Sequence, residues 1–109
     1  METIDNPIPI RIKAARQKAN ISQKELGIRI GMDINSASSR MNHYEKGRHT
    51  PDIQTLKRIA DELNVPLAYL FCESDVIAEL NCIIHKLPIE EQKELLKKLN
   101  VDTEGSDKQ

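Results

Sequence analysis

SQKELGIRIGMDINSASSRMNHYEKG, residues 22–47, divides at Gly31 into two short helical patterns. Ser22 is competent as an N-cap, its hydroxyl accepting from the amide of Lys24 or Glu25, and Glu25 stands at the capping-box position. The first helix then runs to about Ile30, with Leu26 and Ile30 one turn apart on the buried side. Gly27 inside it costs about 1 kcal/mol against alanine, which points to the close approach of another helix. Gly31 ends the helix, and Met32 is placed to plug the core beneath the turn. The second helix begins at Asn35 or Ser36, both good caps, and ends at Gly47, with Ala37, Met41 and Tyr44 directed inward. Its other face carries Ser38, Ser39, Arg40, Asn42 and His43. Side chains of these types complement base edges in the DNA major groove, which at about 12 Å wide admits a helix.

The flanking sequence supplies a core for this pair. Residues 1–9 contain Pro7 and Pro9 and little periodicity, and read as a loose arm. A helix is expected from about Ile10 to Ala19, with Ile12 and Ala15 inward, Arg11, Lys13 and Lys18 outward, and Asn20 as a left-handed terminator. Downstream, Thr50 as cap, Pro51 at the first helical position and Asp52 in the first turn open a fourth helix. Its apolar stripe is Ile53, Leu56, Ile59, Ala60 and Leu63. Asn64 stops it, and Pro66 opens a short fifth helix with Leu67, Leu70 and Phe71. No strand-like alternation occurs, so the expected fold class is all-α.

Beyond Phe71 the pattern changes. Val76, Ile77, Leu80, Ile83, Ile84 and Leu87 form a wide stripe that Pro88 breaks, and Ile89, Leu95, Leu96 and Leu99 follow on another helix. That second helix has Glu90 and Glu91 in its first turn and Lys97 and Lys98 near its end, as the helix dipole favours. This C-terminal αα-hairpin carries more apolar surface than two isolated short helices hide. The segment DTEGSDKQ, residues 102–109, is polar and is expected to be disordered. The division is therefore an arm at 1–9, a helical domain at 10–71, a hairpin at 72–101 and a tail at 102–109.

Charge separates the same regions. The whole chain of 109 residues has a net charge of −1, but residues 11–58 hold eleven basic against four acidic residues, a surplus of +7. From Ile59 onward five lysines face eleven acids, a balance of −6. One half suits a polyanion and the other should avoid it; a merely solvated basic face is the alternative. The sequence contains no apolar run long enough to span a membrane, and METIDNPIPI lacks the apolar core of a signal peptide. Cys72 and Cys82 suggest neither a metal site nor a disulfide framework. A cytoplasmic location is expected.

Taken in order, IRIKAARQKANISQKELGIRIG, MNHYEKGRHTPDIQTLKRIADELNVPLAYLF and the turn between them resemble the lambda repressor/Cro-type, or xenobiotic-response-element, helix-turn-helix regulators. The resemblance spans about Ile10 to Phe71. It rests on Arg16, Ser22-Gln23 and Leu26, the Gly31 turn, Tyr44–Gly47, Pro51 to Leu56, and Asn64-Val65-Pro66. It implies a five-helix DNA-binding domain whose third helix lies in the major groove. It further implies that Gln23 holds a backbone phosphate and that Ser38, Ser39 and Arg40 read bases, with His43 one turn beyond.

Arg40 is the strongest candidate for specificity, because a guanidinium forks onto guanine O6 and N7; a phosphate contact or an ion pair with Glu45 is the alternative. Asn42 suits adenine but also its own helix backbone. Lys46 and Arg48 follow the reading helix where the family runs along phosphates, and Lys24 and Arg29 are candidates to join them. Tyr44 is expected in the core. The chain departs from the family by about four extra residues between Gly31 and Tyr44, close to one helical turn. They either extend the third helix at its start, bringing Ser36 towards the bases, or form a longer turn; the extension is slightly favoured.

The expected partner is double-stranded DNA, bound by a homodimer joined through residues 75–101. A hairpin packed back on its own chain is the alternative. His43, His49 and His85 share no ligand spacing, and no catalytic constellation, cofactor motif or small-molecule site is evident. An enzyme is not expected. A transcriptional regulator, by preference a repressor, is the favoured function. The alternative is a protein-interaction module, of the antitoxin or polymerase-adaptor kind, with incidental DNA affinity.

Overall fold

The computed structural model describes residues 5–107, with side chains to Asn100. All regular structure among the described residues is helical: α1 (Pro7–Lys18), α2 (Gln23–Arg29), α3 (Ala37–Glu45), α4 (Ile53–Glu62), a 3-10 turn (Leu67–Phe71), α5 (Asp75–His85) and α6 (Ile89–Asp107). Ile12, Leu26, Met41, Ile59 and Leu70 are fully buried and come from α1, α2, α3, α4 and the 3-10 turn respectively. Each large apolar side chain so buried contributes about 1.5–3 kcal/mol, so every one of the first five elements is tied to the same core.

The local chemistry explains most boundaries. Asn20 and Asn64 end α1 and α4 with positive φ, 61° and 57°, and Gly31 and Gly47 do the same for α2 and α3 at 98° and 75°. Ser22 Oγ accepts from the Glu25 amide at 3.0 Å, as its capping position requires.

Several expectations are corrected. The first helix starts at Pro7 rather than Ile10, because proline's fixed φ suits the first helical position. Arg11 is buried rather than outward: α1 packs on the 3-10 turn, and the guanidinium bonds the Cys72 carbonyl at 3.0 Å and Asp75 at 2.9 Å. The cap of α4 is Asp52 and not Thr50, its Oδ1 accepting from the Thr55 amide at 2.8 Å, so Pro51 lies outside the helix. Ile53, at the start of α4, is consequently exposed. Phe71 is also exposed while Tyr69 is buried, since at three residues per turn Phe71 falls in line with exposed Ala68 and not with Leu67 and Leu70.

At the C-terminal end, Ser74 Oγ accepts from the Ile77 amide at 3.3 Å to begin α5, which packs on the 3-10 turn through Ala78. The corner into α6 is held by Gln92, whose Nε2 donates to the carbonyls of Ile84 at 2.8 Å and Leu87 at 3.1 Å. The two helices meet at this corner without packing flank to flank. The backbone of α6 continues to Asp107, through most of the stretch expected to be disordered. Residues 1–4 of the expected arm, with Lys108 and Gln109 of the tail, lie outside the described residues.

Candidate nucleic-acid interface

Glycine decides how closely α2 and α3 approach. A Cβ built on Gly27 would lie 2.8 Å from the Ala37 Cβ and 3.1 Å from its backbone. The reading of Gly27 as a point of helix contact therefore holds. The small pair lets α3 cross α2 tightly, with Met41 fully buried beneath the crossing and Met32 and Tyr44 packed at the margin of the core.

Polar side chains lock the crossing. Arg16 donates from Nε and Nη2 to the two oxygens of Glu45, at 2.6 and 3.0 Å, and from Nη1 to the Ile21 carbonyl at 2.8 Å. Gln23 Nε2 donates to Glu45 at 3.0 Å and to Asn42 Oδ1 at 3.2 Å. Three helices thus converge on one carboxylate that is 2% exposed. Glu45 therefore pairs with Arg16 and not with Arg40. Its position gave a signal, since it lies one turn beyond Met41 on the inward stripe, where a charge requires a partner.

The extra residues after Gly31 form a hydrogen-bonded turn, Asp33–Ser36, and the helix proper begins at Ala37. This corrects the slight preference for an extended helix. Asp33 supplies the reason: its Oδ2 accepts from the Asn35 amide at 2.9 Å, and its carbonyl accepts from the amides of Ser36 and Ala37 at 3.0 and 2.9 Å. The turn leaves Ile34 57% exposed immediately before α3, an apolar side chain to which the sequence assigned no role.

Opposite the buried stripe, α3 presents Ser38, Ser39 and Arg40 to solvent, with His43 half-buried. Ser36 is half-buried in the preceding turn, and the Ser39 hydroxyl donates to its carbonyl at 3.4 Å. Asn42 lies at the margin nearest α2, accepting from Gln23 rather than from its own helix. Beyond α3, Gly47 turns the chain so that the His43 and His49 rings meet edge to face at 5.1 Å. Lys24, Arg40, Lys46 and Arg48 are exposed, and none forms an ion pair among the described residues.

Arg29 is placed differently. It bonds Glu25 at 2.9 Å and Glu62 of α4 at 3.4 Å. The Glu25 hydrogen bond is the first cause of a guanidinium pKa above its ordinary value. Of the expected phosphate-binding residues, Arg29 alone has its charge already answered by carboxylates.

A compact helical domain with two helices crossing at a glycine and a polar face on the second defines a class of protein. Residues 12–70 match the family model described as "Helix-turn-helix", and the chain belongs to that family. It is 33% identical over 66 residues to the HTH-type transcriptional regulator ImmR of Bacillus subtilis (strain 168). That match covers 61% of this chain and 49% of ImmR, so the chain spans about half the length of this relative. The crystal structure of the transcriptional regulator BswR is similar over more of the chain, with a TM-score of 0.81 and 46% identity, covering 85% of this chain and 92% of that one.

Proposed function

We infer that the chain is a DNA-binding transcriptional regulator, and we propose that it represses by occupying an operator read by α3 in the major groove. The observation that carries this reading is the split of α3 into two faces. Ala37, Met41 and Glu45 fix the helix to the domain, while Ser38, Ser39, Arg40 and His43 face away with Ser36 and Ile34 at its leading end. Recognition helices meet bases chiefly through their N-terminal residues, which is where the added turn sits. Arg40 suits guanine, and Ile34 suits the methyl group of thymine. Asn42 reads adenine with both amide atoms only if its Oδ1 leaves Gln23.

Lys24, Lys46 and Arg48 are assigned to phosphates, and Gln23 joins them by releasing Asn42, since its two amide hydrogens are otherwise given to Glu45 and Asn42. The three cations among them, each neutralising one phosphate, give a slope of log K against log salt of about −3 per subunit. The family is one of regulators, and this chain acts by binding rather than catalysis. No described helix is long and apolar enough to cross a membrane, in keeping with a proposed place in the cytoplasm.

The active form is proposed to be a homodimer through residues 75–101. Val76, Ile77, Leu80 and Ile83 on α5, and Ile89, Leu96 and Leu99 on α6, are each at least 47% exposed. Their number, and the open corner between α5 and α6, favour a second copy over packing in cis. Two copies would reach half-sites about 34 Å apart. Selection from a random duplex pool at about 150 mM salt, where weak non-specific binding is suppressed, tests the whole reading. One enriched pseudo-palindromic site supports it, and no enrichment overturns it.

A further inference from the structure

The DNA-facing surface does not use the cleft formed by α1, the end of α4, the 3-10 turn and α5. Its volume is about 330 Å3, within the range of small-molecule sites. Ala15, Val65 and Ala78 give it apolar walls, Arg11, Lys18 and Lys86 bring three cations, and Asp75 and Glu79 bring two carboxylates.

Arg11 sets the chemistry. Its side chain is 6% exposed, Nε donates to the Cys72 carbonyl, and the guanidinium lies 5.8 Å from the Tyr69 ring centre. Nη1 meets Asp75 Oδ1 at 2.9 Å, but the buried Nη2 has no hydrogen-bond partner. An unpaired buried donor is costly, and the planar edge of a guanidinium fits both oxygens of one carboxylate. Asp75 supplies only one oxygen, from a side chain that is 76% exposed. Lys18 and Lys86, both exposed on the rim, form no ion pair among the described residues.

We propose that this cleft binds a small organic carboxylate with a short apolar body. The carboxylate takes the Nη1–Nη2 edge of Arg11 in place of Asp75, the two lysines close over it, and the apolar body rests on Ala15, Val65 and Ala78. Because α1 and α5 both line the cleft, the occupied site joins the DNA-binding domain to the C-terminal helices. A ligand held only by the folded chain also raises its melting temperature.

The test titrates the full-length, nitrogen-15-labelled chain with hexanoate, hexylammonium and inorganic phosphate. Saturable shifts at the Ala15, Val65 and Ala78 amides are expected with hexanoate, together with a higher melting temperature. Hexylammonium and phosphate should bind at least about tenfold more weakly, lacking the anion and the apolar body respectively. Lys18→Glu/Lys86→Glu, at exposed positions, should keep the remaining spectrum and weaken hexanoate by about tenfold. Arg11→Lys should weaken it as well, and if that variant fails to fold the rim variant carries the test. Absence of saturable shifts, an equal response to hexylammonium or to phosphate, or indifference to the rim reversal would each overturn the proposal.

Discussion

Glu45 takes both Nε and Nη2 of Arg16, at 2.6 and 3.0 Å, joining the end of α3 to α1 through a carboxylate that is almost wholly buried. Removing one member strands the charge of the other. Glu45→Ala should lower the free energy of unfolding by about 3–5 kcal/mol, measured in urea. Arg16→Met/Glu45→Leu should lose less, since no ion is left unpaired. A double variant as unstable as Glu45→Ala would show that packing, not charge, explains the loss.

Gly27→Ala opposes two effects at one position. Alanine gains about 1 kcal/mol of helix propensity, but its Cβ would meet Ala37 at 2.8 Å. Overpacking of this kind costs about 1–3 kcal/mol, and the neighbouring Ala37 backbone has little room to move. Net destabilisation is therefore expected in denaturant melts, with partial recovery when Ala37→Gly is added. A more stable single variant would refute the tight crossing.

Acid should loosen the start of α4. Donation from Thr55, its side chain first and its amide second, holds the Asp52 carboxyl below its ordinary value of 3.8. Because the folded value is the lower one, the contribution is complete above the unfolded value and disappears as pH falls through the folded value. Asp52→Asn keeps a capping oxygen that does not titrate. Its melting temperature should therefore fall less steeply than that of the unchanged chain below about pH 4; parallel curves would exclude the cap as the cause.

The two kinds of DNA contact should separate by mutation. Arg40→Ala should relax preference at one base position by about 1–3 kcal/mol, whereas Lys46→Ala should weaken all sequences alike and reduce the salt slope by about 1. Ile34→Ser should relax a preference for thymine at an outer position. Binding isotherms on single-base variants of the selected site, at several salt concentrations, distinguish these outcomes.

Assembly has its own test. Leu80→Glu/Leu96→Glu places charge on two exposed apolar positions, which should leave helix content intact and convert dimers to monomers in sedimentation. An unchanged mass would remove α5 and α6 from the proposed interface.

Helix identity was legible wherever a residue's local chemistry sufficed. Ser22, Asn20, Asn64 and Gly31 act on their own backbone, and their roles follow without a tertiary partner. Arg11 and Glu45 were harder because their environment is made by residues far along the chain, sixty-one positions away for Arg11 and Cys72. The turn at Asp33–Ser36 depended on a choice between a longer helix and an Asp-capped turn that hydrophobic spacing does not make. The pairing of Arg29 with Glu25 is an i,i+4 contact that the sequence does show, and only the second carboxylate, Glu62, depends on how α4 packs. The cleft at Arg11 has no counterpart in the linear sequence, because its walls come from four separate elements.

The division of α3 into an anchoring and an outward face has an evolutionary consequence. Ala37, Met41 and Glu45 carry its connections to the rest of the domain, and Ser38, Ser39 and Arg40 carry none that the core depends on. Exposed substitutions of this sort usually change stability by no more than about 0.5 kcal/mol. A lineage can therefore exchange those side chains, and with them the operator that α3 is proposed to read, while folding stays nearly constant. The same scaffold is free to be retargeted by a handful of surface changes.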